Sequence, residues 1–153
     1  MSNQKFSVSK LINSPAKIVY SIIADYNNGH PRILPKPPFV SLEVEKGGIG
    51  SGTEMIVKME MFGKVQTFRA VVTEPEPGRV LVETTDTGYI TTFTIDPRDD
   101  NKNSYVTFTT ELAINSGIMK RFEFWITSKL LKPVYKKELE ILSEVAANQR
   151  KSI

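Results

Sequence analysis

Cysteine is absent from the 153-residue chain, which removes disulfide frameworks, thiolate nucleophiles and thiolate metal sites together. Histidine occurs once, as His30, so no histidine-built metal site can form, and no Asp or Glu cluster at ligand spacing accompanies it. An excess of charge of one sign is also lacking: 20 Lys and Arg stand against 17 Asp and Glu. The two signs are interleaved, whereas nucleic-acid surfaces are strongly and locally basic, so no nucleic-acid partner is expected. Long apolar runs are missing too. None approaches a membrane span, and the opening MSNQKFSVSKL lacks the apolar centre of a secretory signal. The expectation is a cytoplasmic protein without stable membrane insertion. Nor is there a repeat, linker or low-complexity tract, which leaves residues 1–153 as one domain, long enough to bury roughly two-thirds of its unfolded surface.

What is present is a sequence of clear periodicities. Phe6, Val8 and Ile12 alternate with polar residues as in a first strand. Asn13-Ser14-Pro15 reads as a helix start, with Ser14 as cap and Pro15 in the first turn, where no donor is needed. Ile18, Ile22 and Ile23 continue the helix towards Asp25, and Asn27-Asn28-Gly29 ends it. The proline-rich stretch 30–38 has room for one short helical turn around Ile33 and Leu34. From Phe39 the period becomes two, predicting strands at Phe39–Glu45, Thr53–Phe62, Lys64–Glu74, Arg79–Thr85, Tyr89–Asp96 and Tyr105–Ile114. Short turn-forming gaps between them imply an antiparallel meander. The segment Gly117–Asn148 then reads as a single amphipathic helix, interrupted only by Pro133, with Met119, Phe122, Ile126, Leu130, Val134, Ile141 and Val145 on one face. Pro133 removes a helical donor and is expected to kink or break the helix.

This order resembles the helix-grip fold of the START-like (SRPBCC) superfamily, which includes polyketide cyclases and lipid-transfer domains. The resemblance spans nearly the whole chain and rests on INSPAKIVYSIIADYNN, the PRILP that follows, GGIGSGTEM, TEPEPGRVLVE and the terminal helix. It implies an α+β fold: a curved sheet of seven antiparallel strands wrapped around a long C-terminal helix, with two short helices after the first strand. It also implies a hydrophobic ligand held between sheet and helix. The GGIGSG run fits neither dinucleotide nor phosphate-loop spacing and leads into a strand, so it reads as a hairpin bend. No cofactor is expected.

Turns fix the faces of the strands. With Phe62-Gly63 as a tight turn, Met61 pairs with Lys64, and Met55, Val57, Met59, Phe68, Ala70 and Val72 look inward. Carrying the register onward adds Leu81, Glu83, Thr85, Tyr89, Thr91 and Phe93, with Glu83 opposite Thr91 and beside Ala70. The last strand contributes Val106, Phe108, Thr110 and Leu112. Methionines form a deformable wall, and the small or hydroxylic residues leave volume and offer a few anchors.

Two functional classes follow. The first is a binding module for a hydrophobic small molecule such as a lipid, isoprenoid, quinone or polyketide. Its ligand-binding residues are expected to be Tyr26 and Leu34 at the mouth, Met55, Met59, Phe68, Glu83, Phe93 and Thr110 on the sheet, and Phe122, Ile126 and Leu130 on the helix. The second is an enzyme of the cyclase or dehydratase kind acting in the same cavity. For it the sequence offers Glu83, Tyr89 and His30, with no paired catalytic constellation. His30 itself reads more readily as a solvated loop residue than as a base at the cavity mouth.

Overall fold

A computed structural model describes residues 4–112 and 118–151. Of the expected elements, Ile114, Gly117 and the side chain of Met119 lie outside the described residues. The strands are β1 (Lys5–Ile12), β2 (Phe39–Lys46), β3 (Glu54–Met61), β4 (Lys64–Glu76), β5 (Val80–Thr85), β6 (Tyr89–Arg98) and β7 (Asn103–Leu112). They form one curved antiparallel sheet in the order β1-β7-β6-β5-β4-β3-β2. Between β1 and β2 come α1 (Ala16–Ala24) and the single turn α2 (His30–Ile33), and the chain closes with α3 (Ile118–Lys151). This is the helix-grip arrangement. α3 packs on β1 and β7 and against α1 and α2.

The β3–β4 hairpin shows how the sequence sets the register. Phe62 and Gly63 both take positive φ, 54° and 74°, as a two-residue turn that matches strand twist requires. Met61 therefore pairs with Lys64, Met59 with Gln66, Val57 with Phe68 and Met55 with Ala70. Every second residue of β3 is then buried: Met55, Val57 and Met59. Further along, Glu83 pairs with Thr91 as expected, but its partner on β4 is Val72 and Thr85 takes the place opposite Ala70. A register shift between Thr73 and Glu76 accompanies the Pro75–Gly78 corner.

One expectation about helices is corrected, and of the two outcomes expected at Pro133 the break is excluded. Pro15, not Ser14, stands at the N-cap of α1, and no side chain caps the helix. Ser14 is instead buried at the β1–α1 junction, where its carbonyl accepts from the Ser104 hydroxyl and its own Oγ has no partner. The extended backbone that places Pro15 before the first turn leaves Ser14 one residue too early to cap. Pro133 does not break α3, which runs helical through it for 34 residues, on the order of 50 Å.

Backbone contacts pin the connection that carries Tyr26 and His30. Tyr26 N–H donates to the Gly48 carbonyl at 2.7 Å and Gly50 N–H to the Ala24 carbonyl at 2.8 Å. The approach is close: a Cβ on Gly48, whose φ is +133°, would fall 2.3 Å from the Asn27 side chain. GGIGSG is thus a bend, as its spacing indicates, and one against which the α1–α2 segment docks. Glu74 adds two ties, accepting from the Tyr20 hydroxyl at 2.5 Å and from Ser51 N–H at 2.8 Å.

Candidate functional site

Between the sheet and α3 lies a cavity of about 460 Å³. Its apolar wall comes from alternate residues of β3 and β4, Met55, Val57, Met59, Met61 and Phe68, joined by Leu34, Phe93 and Leu131. Alternation places these side chains on the same face of the sheet. Phe62, Thr87 and Glu123 line the cavity and are exposed. Its mouth is therefore bordered by the β3–β4 turn, the β5–β6 turn and the start of α3.

A polar assembly faces this wall. Glu83 on β5 accepts a 2.7 Å hydrogen bond from the Tyr26 hydroxyl, and its side chain is 15% exposed. His30 Nε2 lies 3.8 Å from the same carboxylate oxygen. The other ring nitrogen, Nδ1, is 2.8 Å from the Ile23 carbonyl. A carbonyl can only accept, so Nδ1 carries a proton there, and Nε2 is the nitrogen turned towards Glu83. Tyr26 stacks on the imidazole at 4.6 Å, and Phe93 meets it edge-on at 5.6 Å. These contacts fix the ring from both sides.

From α3, Glu138 reaches the same cavity. It is only 2% exposed, and its Oε1 has no hydrogen-bond partner. Burial, followed by the charge of Glu83, pushes its carboxyl well above the ordinary carboxylate range. Glu83 is also pushed up by burial, with His30 and the Tyr26 hydrogen bond acting in the opposite direction. Two carboxylates withdrawn from water disfavour each other's ionisation. One turn before Glu138, the Tyr135 hydroxyl is 2.7 Å from Thr110 Oγ1, which is 2.9 Å from Thr91 Oγ1. Burial raises the Tyr135 phenol as well. Among the described residues, no group of three His, Asp or Glu side chains is placed to hold a metal ion.

Of the residues expected to bind a ligand, Leu34, Met55, Met59, Phe68, Glu83, Phe93 and Thr110 lie on the cavity wall. Leu34 is buried rather than at the mouth. Tyr26 does not line the cavity. It is 1% exposed and acts from behind, through its contacts to Glu83 and His30. The expected helix residues lie off the cavity wall: Phe122 and Leu130 are 58% and 44% exposed, and Ile126 is half-buried. The inward face of α3 is instead Phe124, Thr127, Leu131, Tyr135, Glu138, Leu139, Leu142 and Ala146. Over most of its length this is the expected stripe displaced by one residue, a rotation of about 100°. His30 is likewise not solvated: it is 3% exposed, held in place because α2 starts at it and docks on α3. Sequence periodicity does not single out Glu138 or Tyr135. The missed signal was the run Leu131, Tyr135, Leu139, Leu142 and Ala146, which carries Glu138 on the same face.

The sheet, the gripped helix and the cavity between them define a helix-grip protein of the START-like class. The model of the polyketide cyclase / dehydrase and lipid transport family matches residues 3–147, and the chain belongs to that family. Among solved structures, the KanY protein superposes with a TM-score of 0.80 at 23% identity, covering 96% of this chain and 99% of that one. The Zhui aromatase/cyclase from Streptomyces sp. R1128 gives 0.77 at 13% identity, with 97% and 96% covered. Norcoclaurine synthase from Thalictrum flavum, solved with dopamine and hydroxybenzaldehyde, gives 0.69 at 15% identity, with 96% and 88% covered. At such identities the likeness speaks for the fold. No match was found among curated proteins.

Proposed function

We propose that the protein binds an amphipathic small molecule, of the size of a lipid, isoprenoid, quinone or polyketide, in the cavity between sheet and α3. The apolar body lies along Met55, Met59, Phe68 and Phe93, and the polar group meets Glu83, Thr110 and Glu138. The observation that carries this reading is the cavity itself, about 460 Å³, mostly apolar and with a few convergent polar groups, as small-molecule sites are. Among the described residues no helix is long and apolar enough to cross a membrane, and a cytoplasmic ligand carrier fits the sequence. Native mass spectrometry of protein purified from its own host tests the reading. A retained small molecule, lost when Phe93→Trp narrows the cavity, is the expected result. Protein that retains nothing and takes up no fluorescent hydrophobic probe overturns it.

A second reading, a proton-transfer enzyme acting in the same cavity, draws on one arrangement. His30 has Nδ1 tied as donor to the Ile23 carbonyl and Nε2 facing the Glu83 side of the cavity, an orientation from which an imidazole can exchange a proton with a ligand. The aromatase/cyclase relative is a precedent for chemistry on this fold. Deuterium exchange into a bound β-diketone, followed by NMR and lost in His30→Gln, is its test; exchange no faster than in buffer overturns it.

A further inference from the structure

We propose that the ligand of this cavity carries a protonated amine, bound between Glu83 and Glu138. The inference rests on the small-molecule reading and narrows it to hydrophobic cations. It begins with a charge asymmetry. The whole chain has more Lys and Arg than Asp and Glu, 20 against 17, yet among the described residues no Lys or Arg lines the cavity while Glu83, Glu123 and Glu138 do. A fatty-acid carboxylate or a phosphate entering it meets three carboxyl side chains and, among the described residues, no Lys or Arg. Such a juxtaposition rejects anions.

Glu138 supplies the second, independent observation. Its Oε1 is buried without a partner, and an ionised carboxylate can only accept hydrogen bonds. Glu83 already has the Tyr26 hydroxyl, but Glu138 Oε1 still lacks a donor. An ammonium group brings up to three N–H donors and one positive charge. It satisfies Glu138 and opposes what raises these carboxyls, which is burial at both and, at Glu138, the Glu83 charge as well. Phe93 and Tyr89 also line the cavity, and aromatic rings can favour a cation.

A neutral carbonyl ligand makes the opposite demand. It accepts, so it needs Glu138 protonated, and its binding weakens as pH rises. A cation needs the carboxylates ionised, and its binding strengthens as pH rises. The titratable groups facing Glu138 are Glu83 on β5, His30 on α2, Tyr26 just before it and Tyr135 on α3 itself. The two phenols are raised by burial and stay neutral throughout this range.

Isothermal titration calorimetry with three isosteric probes decides it: 4-phenylbutylamine, 4-phenylbutanol and 4-phenylbutyrate. The amine is expected to bind tightest and the acid weakest. The amine's affinity is expected to increase between about pH 5 and pH 8, where an alkylamine remains protonated. Glu138→Gln and Glu83→Gln should each weaken the amine by about tenfold or more, the scale for unpairing a buried charge, and weaken the alcohol by a clearly smaller factor. The acid or alcohol binding as tightly as the amine, or amine affinity falling with pH, overturns the cation inference while the ligand-binding reading stands. Binding of none of the three overturns both.

Discussion

On the β3–β4 side the cavity wall is built from Met55, Val57, Met59, Met61 and Phe68, side chains held only by packing, two of them half-buried. On the side of β5, α2 and α3 the wall is a hydrogen-bonded and stacked assembly, in which Tyr26 holds Glu83, Ile23 holds His30, and Thr110 holds Tyr135. The first wall can deform, because thioethers have several rotatable bonds and no polar demands. The second cannot, since each shifted group leaves a buried donor or acceptor unpaired. On the proposed ligand-binding reading, one side tolerates variety in a ligand's body, and the other selects its polar group and orientation.

The difference is testable first by truncating aromatics. Phe108 is fully buried and meets Phe93 edge-on at 4.7 Å and Tyr135 at 5.9 Å. It lies in the close-packed layer behind the cavity, and Phe108→Ala is expected to cost about 3–5 kcal/mol. Phe68 is half-buried on the deformable wall, so part of its packing is absent from the start. Phe68→Ala should cost clearly less than about 3 kcal/mol. Urea melts of both variants check this, and equal penalties would erase the distinction between wall and core.

The same contrast explains what the sequence made legible. Registers on the sheet follow from turn geometry at Phe62-Gly63 and Asp86–Gly88, and alternation then carries them along each strand. That is why Met55, Met59, Phe68, Glu83 and Phe93 could be placed. The helix offered no such fixed point, so its face had to be chosen by hydrophobicity alone. That criterion misleads here for a physical reason. The face of α3 that looks into a cavity carries Thr127 and Glu138, whereas the adjacent stripe of Phe122, Ile126 and Leu130 is uniformly apolar. The cavity-facing stripe is less hydrophobic than its neighbour on the helix surface, so hydrophobicity alone points to the wrong face. His30 was misread for a related reason: proline-rich surroundings suggest an exposed loop, but the docking of α2 on α3 is a tertiary contact with no local signature.

The polar wall is sharpened next by Tyr26→Phe. The substitution keeps the stacking on His30 and removes only the hydroxyl that donates to Glu83. That hydrogen bond favours the ionised carboxylate and opposes the effect of burial, so its loss should move the Glu83 carboxyl further upward. Hydrogen bonds to a charged group contribute about 1.5–3 kcal/mol. The destabilisation should approach that range at neutral pH and shrink in acid, where Glu83 is protonated in either protein. Carbon-13 NMR titration of the Glu83 carboxyl reads the shift directly. An unchanged titration would mean that Tyr26 packs beside Glu83 without tuning it.

The smallest change asks whether the polar wall costs the fold stability. Glu138 is buried, its Oε1 is unpartnered, and its carboxyl lies well above the ordinary range. A carboxyl raised in the folded state binds its proton more tightly there than in the unfolded chain. Stability from this group is therefore greatest below the unfolded value and falls as pH rises towards the folded one. Glu138→Met replaces it with an apolar side chain of similar length, and at neutral pH it should gain about 1–3 kcal/mol, the penalty for a buried polar group left unpaired. The difference between variant and parent should narrow as pH falls to about 4, where the unfolded carboxyl also holds its proton. Denaturant melts across this range supply the comparison. A gain independent of pH would assign the effect to packing. A loss of stability would show that Glu138 is as well satisfied as Glu83, and the two walls would then differ in polarity but not in strain.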